Sequence, residues 1–123
     1  AALGAISLLV GAVGIVTIMS TAVRERTSEI GLLSALGARQ RQILLLFLAE
    51  AVALSLAGGL AGIAVAITLV LSLGLLLPTL PLQLSVFYLG LSLLLSVAIG
   101  LAAGITPARQ AANMQPIAAL RAE

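Results

Sequence analysis

The groups able to do acid–base or ionic chemistry in this sequence are six arginines and four glutamates; histidine, cysteine, aspartate and lysine do not occur. That inventory excludes most catalytic designs. A phosphate loop needs a lysine, a nucleophilic triad needs a histidine or lysine base, and a zinc site needs clustered histidine, cysteine or carboxylate. No catalytic, cofactor-binding or metal-ligating residue is assigned, and the chain reads as a non-enzyme. Lack of cysteine excludes disulfides and leaves the redox compartment open. The net charge is +2 and aromatic residues are only 2%, so no basic surface with stacking platforms is offered to nucleic acid.

Glu50 is the acid whose place is most informative, because it borders residues 51–108, where no charged side chain occurs. An ionisable group at the edge of an apolar span is a candidate for moving a proton. The plainer alternative is an ion pair with Arg24 or Arg26 from a neighbouring helix.

The elements that position these groups follow from composition. The chain is 62% hydrophobic and 8% charged, with a mean hydropathy of +1.28, whereas soluble domains carry roughly 25% charged residues. A crossing needs about 20 apolar residues, and three such stretches are expected at about 3–23, 43–77 and 86–105. The first begins apolar, has no positive leading region and is too long for a signal peptide, so it reads as a true span. The second is too long for one upright crossing and must tilt, bend or protrude, most simply at its start beside Arg39, Arg41 and Glu50. Pro78 and Pro81 break the chain into a short uncharged loop, with Ser85 placed to cap the third span. Thr106 and Pro107 mark the start of a short C-terminal helix, restarted at Pro116.

All the arginines fall on one side of this three-span arrangement, and the positive-inside rule makes that side cytoplasmic. The N-terminus of the chain is then outside and its C-terminus inside, an order natural in a fragment of a longer protein.

Between the first two spans lies ERTSEIGLLSALGAR, read as a short amphipathic helix over about 27–37. Thr27 or Ser28 can cap it, Glu29 suits the positive first turn and Gly37 can end it. Ile30, Leu33 and Leu36 form an apolar ridge that needs either the lipid surface or a protein groove. Small residues recur one turn apart at Ser7 and Gly11, at Gly58 and Gly62, and at Ser96, Gly100 and Gly104, a spacing that lets helices approach closely in lipid. Packing is the simple reading of these ridges and a sliding interface the sharper one.

Together, ERTSEIGLLSALGARQRQILLLFLAEA, LSLAGGLAGI and TPARQAANMQPIAALRAE resemble the MacB/FtsX-like permeases of ABC transporters over nearly the whole chain. The resemblance implies an all-α membrane domain supplying spans two to four of a permease in the cytoplasmic (inner) membrane. It implies that the short helix is a coupling helix docking on an ATP-binding subunit or domain. Glu29, Ile30, Gly31, Leu36, Gly37 and Ala38 would carry that role, with Leu33 of the same ridge. It also implies a second permease copy and motion passed to an extracytoplasmic domain, with ATP bound by the partner and no cofactor held by this chain. Two other outcomes stand beside an exporter: a signalling subunit controlling cell-wall hydrolases, and a structural helix bundle in lipid.

Overall fold

The computed structural model describes residues 2–114, which form four helices: α1 (Ala2–Glu25), α2 (Thr27–Ala35), α3 (Gln40–Leu76) and α4 (Val86–Ala112). No strand occurs among the described residues. Three of the helices, α1, α3 and α4, are long and apolar enough to cross a membrane. Their outward faces carry large exposed side chains such as Leu3, Leu9, Leu60, Leu69 and Leu94. Such faces are tolerated in lipid, where the backbone must satisfy its own polar groups and a helix does so within one segment. Hydroxyls inside the spans follow the same rule. Thr17, Thr21, Thr68 and Ser72 each donate to the carbonyl one turn back, at 2.7–3.0 Å.

The long second stretch resolves as one unbroken helix of 37 residues, about 55 Å at a rise of about 1.5 Å per residue. A sharp break is thereby excluded, and a helix of that length has to tilt or protrude to suit a bilayer. Arg39 stands at its N-terminal cap position in extended conformation, and its backbone N–H donates to the Gln42 side chain at 2.9 Å.

The third stretch runs further than expected. α4 passes through Pro107 to Ala112, so Pro107 opens no new helix at this point. Proline deprives the helix of one i→i−4 bond, that to the Ala103 carbonyl, but its ring is fully buried, and packing on both sides outweighs a penalty of about 3 kcal/mol. The expected restart at Pro116 lies outside the described residues. Ser85 does hold the position before α4, in extended conformation, but its hydroxyl makes no capping bond.

The helices are not packed evenly along their length. The buried core gathers Met19 and Val23 of α1, Ile30 of α2, Ile43, Phe47 and Ala51 of α3, and Ala108, Ala111 and Ala112 of α4. All of these lie at the end of the bundle where the described arginines are. α4 is the central helix: it packs along α3 and also against α1, while α1 and α3 barely touch.

Candidate functional site

The contact between α3 and α4 is built from small residues in a fixed antiparallel register. A Cβ added at Gly104 would lie 2.5 Å from the Ala51 Cβ, and one at Gly100 would lie 2.6 Å from the Ser55 Oγ. One turn further, a Cβ at Gly59 would lie 2.7 Å from the Leu93 Cδ1 and 3.3 Å from the Ser96 Oγ. Backbones this close are possible only where side chains are absent or minimal. Ser55 is buried, and its hydroxyl donates to the Ala51 and Val52 carbonyls, each at 3.0 Å. Ser96 then donates across to the Ser55 carbonyl at 3.2 Å, a polar bond between helices.

Ser96, Gly100 and Gly104 thus face α3. Gly58 and Gly62 do not face α4: a Cβ at either would meet nothing within 4 Å. The glycine of α3 that packs on α4, beside Ala51 and Ser55, is their neighbour Gly59, which spacing alone does not distinguish within the Gly58–Gly59 pair. Gly11 is equally open. Ser7 and Gly11 instead join Gly58, Ser96 and Leu54 around a cleft of about 280 Å³ between α1 and α3, floored by α4.

At the charged end, α2 is held on its inner side and presented on its outer side. A one-residue step at Arg26 separates it from α1. The Thr27 hydroxyl does not cap α2; it donates backwards to the Arg24 carbonyl at 2.6 Å and the Val23 carbonyl at 3.2 Å, tying the start of α2 to the last turn of α1. The cap position is taken by Arg26, without a side-chain bond. Ile30 is 2% exposed within the core, and Gly31 is buried beside it.

The far end closes at Gly37, whose φ is +94°, a conformation that suits a residue without a Cβ. The Ala38 N–H donates to the Leu33 carbonyl at 3.0 Å and the Gly37 N–H to the Ser34 carbonyl at 3.2 Å. These are the two bonds of a Schellman motif, and they stop the helix.

The expected ridge divides as a result. Ile30 points inward, while Leu33 and Leu36 remain exposed, Leu36 by 77%. Leu32, absent from the sequence expectation, is also exposed, and helical periodicity puts it on the same outward face as Glu29, Leu33 and Leu36. Ala38 is partly buried against the core. The outward face is therefore three leucines with one acid at its start, on a helix fixed at both ends.

Glu50 lies behind this helix. Its carboxylate pairs with the Arg26 guanidinium at 3.4 Å, and Arg26, not Arg24, makes the ion pair. Both side chains are partly exposed. No group of three acidic, histidine or cysteine side chains able to hold a metal occurs among the described residues. The outward apolar face is thus backed by Ile30 in the shared core and by the Arg26–Glu50 pair to α3.

Comparison with known proteins gives this arrangement a setting. The family model described as FtsX-like permease C-terminal matches residues 1–116. The chain is 46% identical over 123 residues to the macrolide export ATP-binding/permease protein MacB of Bradyrhizobium diazoefficiens, covering 100% of this chain and 19% of that protein. It is 47% identical over 121 residues to the pyoverdine export ATP-binding/permease protein PvdT of Pseudomonas aeruginosa, covering 98% of this chain and 18% of that protein. A MacB of Rhodopseudomonas palustris is 44% identical over 120 residues, with 98% and 18% covered. The chain thus spans under a fifth of the length of these curated relatives.

Proposed function

The chain belongs to the family of FtsX-like permease C-terminal domains, and from that premise we propose that it is the transmembrane part of an ABC exporter that carries motion from an ATP-binding partner across the membrane. In this reading α2 is the coupling helix. Glu29, Leu32, Leu33 and Leu36 meet the ATP-binding subunit or domain, while Ile30 and Gly31 join α2 to the bundle. ATP is bound by that partner, since this chain has no lysine with which to build a phosphate loop.

The observation that carries the proposal is the split of α2 into a buried anchor and an exposed leucine face. A helix lying passively in headgroups needs only one apolar face, turned to lipid. Here the face turned to the bundle is already occupied by Ile30 in the core, and a second apolar face is left for another surface. The names of the similar proteins, exporters of macrolide and pyoverdine, favour export over control of cell-wall hydrolases.

The chain works in the cytoplasmic membrane with its arginines inside, so that α2 and the packed core lie at the cytoplasmic face. The tight α3–α4 contact makes those two helices one rigid pair, and the cleft leaves α1 freer at the opposite end. A push on α2 is therefore passed to α4 through the shared core and read out beyond the membrane. A second permease copy completes the transporter.

The test is the double change Leu33→Glu and Leu36→Glu in the full-length protein. Export is expected to fall by at least about tenfold, equivalent to about 1.4 kcal/mol of coupling contact, with membrane insertion and thermal stability retained because Ile30 is untouched. Unchanged export from a stably inserted variant would contradict the reading.

A further inference from the structure

The leucine face of α2 continues into a basic edge. Leu36 is 77% exposed, and three residues further on Arg39 takes the cap position of α3. Three residues of chain reach at most about 11 Å, so the Arg39 backbone lies within that distance of Leu36. Its place is fixed from both sides. The Arg39 N–H donates to the Gln42 side chain at 2.9 Å, and its carbonyl accepts from the Gln42 and Ile43 N–H groups at 2.9 and 3.3 Å. Ala38 before it packs against the core and Ile43 after it is buried there, while Arg39 and Arg41 stay exposed.

These two arginines are not neutralised from within the bundle. α3 has no acid in its first turn. Among the described residues the one ion pair joins Arg26 to Glu50, and neither Arg39 nor Arg41 takes part in one. At the other end of the face Glu29 stands in the first turn of α2, where it suits the positive end of that helix. The positive charge beside Leu36 is thus the part of this surface that lacks a counter-charge.

Size decides whether a partner seated on the leucines reaches that charge. A standard protein interface covers about 800 Å² on each side, a disc of about 16 Å radius, which is wider than the step from Leu36 to Arg39. Such interfaces have an apolar centre and a polar rim, and charge at the rim sets register and the rate of encounter. Guanidinium groups there are met best by carboxylates, in paired hydrogen bonds. We propose that the ATP-binding partner carries an acidic cluster beside the groove that takes Leu33 and Leu36, and that Arg39 and Arg41 pair with it and fix how the partner sits on α2. The inference rests on the docking role given to α2 above and adds the chemistry of the surface that meets it.

The experiment uses the full-length protein in inverted membrane vesicles, with its ATP-binding subunit or domain present. A photo-crosslinking amino acid is placed at Leu33 or, in a second preparation, at Gln40, which is exposed between the two arginines. Captured species are identified by mass spectrometry. At Gln40 the expected capture is a peptide of the ATP-binding partner rich in Asp and Glu. Arg39→Gln with Arg41→Gln should lower partner capture at Leu33 about threefold at low salt. That loss should vanish at about 1 M salt, where the screening length is about 3 Å. Lipid alone at Gln40, no adduct there, a partner peptide without acids, a peptide of a second permease copy, or capture at Leu33 that the double variant leaves unchanged would each overturn the proposal. Those outcomes leave the docking role of α2 standing as long as Leu33 captures the ATP-binding partner, whereas lipid alone at Leu33 in the unaltered sequence removes both.

Discussion

The guanidinium of Arg26 lies 3.4 Å from the carboxylate of Glu50, joining the step between α1 and α2 to the point where α3 enters its charge-free stretch. The pair ties the start of α2 to a helix that α1 otherwise barely meets. Because both side chains are partly exposed, its contribution to stability is expected to be about 0.2–1 kcal/mol. Glu50→Gln and Arg26→Gln should each lower the melting temperature in detergent slightly, and the double variant should lose less than the sum of the two. Strict additivity would show that the ion pair contributes nothing, and a loss of several kcal/mol from Glu50→Gln alone would assign the carboxylate another task.

Close packing of α3 on α4 gives a sharper contrast. Gly100→Leu forces a side chain into Ser55 and toward the Ala51 carbonyl, and overpacking of this kind costs about 1–3 kcal/mol or more. Gly62→Leu meets open space and should leave the stability of the single protomer unchanged. Thermal unfolding of the two variants in detergent checks this, and equal losses would contradict the register described above.

Gly37 sets where α2 stops. At a φ of +94° an alanine is strained, so Gly37→Ala should cost about 1–3 kcal/mol or loosen the Schellman turn that orients Leu33 and Leu36. Helix content by circular dichroism should barely change while export falls. Export unchanged at full stability would mean that the exact end of α2 is unimportant.

Much of this was legible in the sequence because lipid imposes simple rules. Charge-free length set the three apolar helices, Gly37 announced the end of α2, and Ser96, Gly100 and Gly104 stood at the spacing of a packing ridge. Two things were not legible. Spacing marks which residues share a face but not which way the face turns, so it offers Gly58 and Gly62 as a ridge where Gly59 makes the contact, and it groups Ile30 with Leu33 and Leu36 although Ile30 faces the core. Local signals also gave way to packing: Pro107 reads as a helix start yet is buried inside α4, and the Thr27 hydroxyl bonds backwards because the chain enters α2 almost without leaving α1.

The most direct test of the central claim is site-specific photo-crosslinking from Leu33 and Leu36 in the full-length protein in its native membrane, with the captured species identified by mass spectrometry. Capture of an ATP-binding subunit or domain at both positions is the predicted result. Capture of lipid alone would make α2 an interfacial helix and contradict its role in coupling.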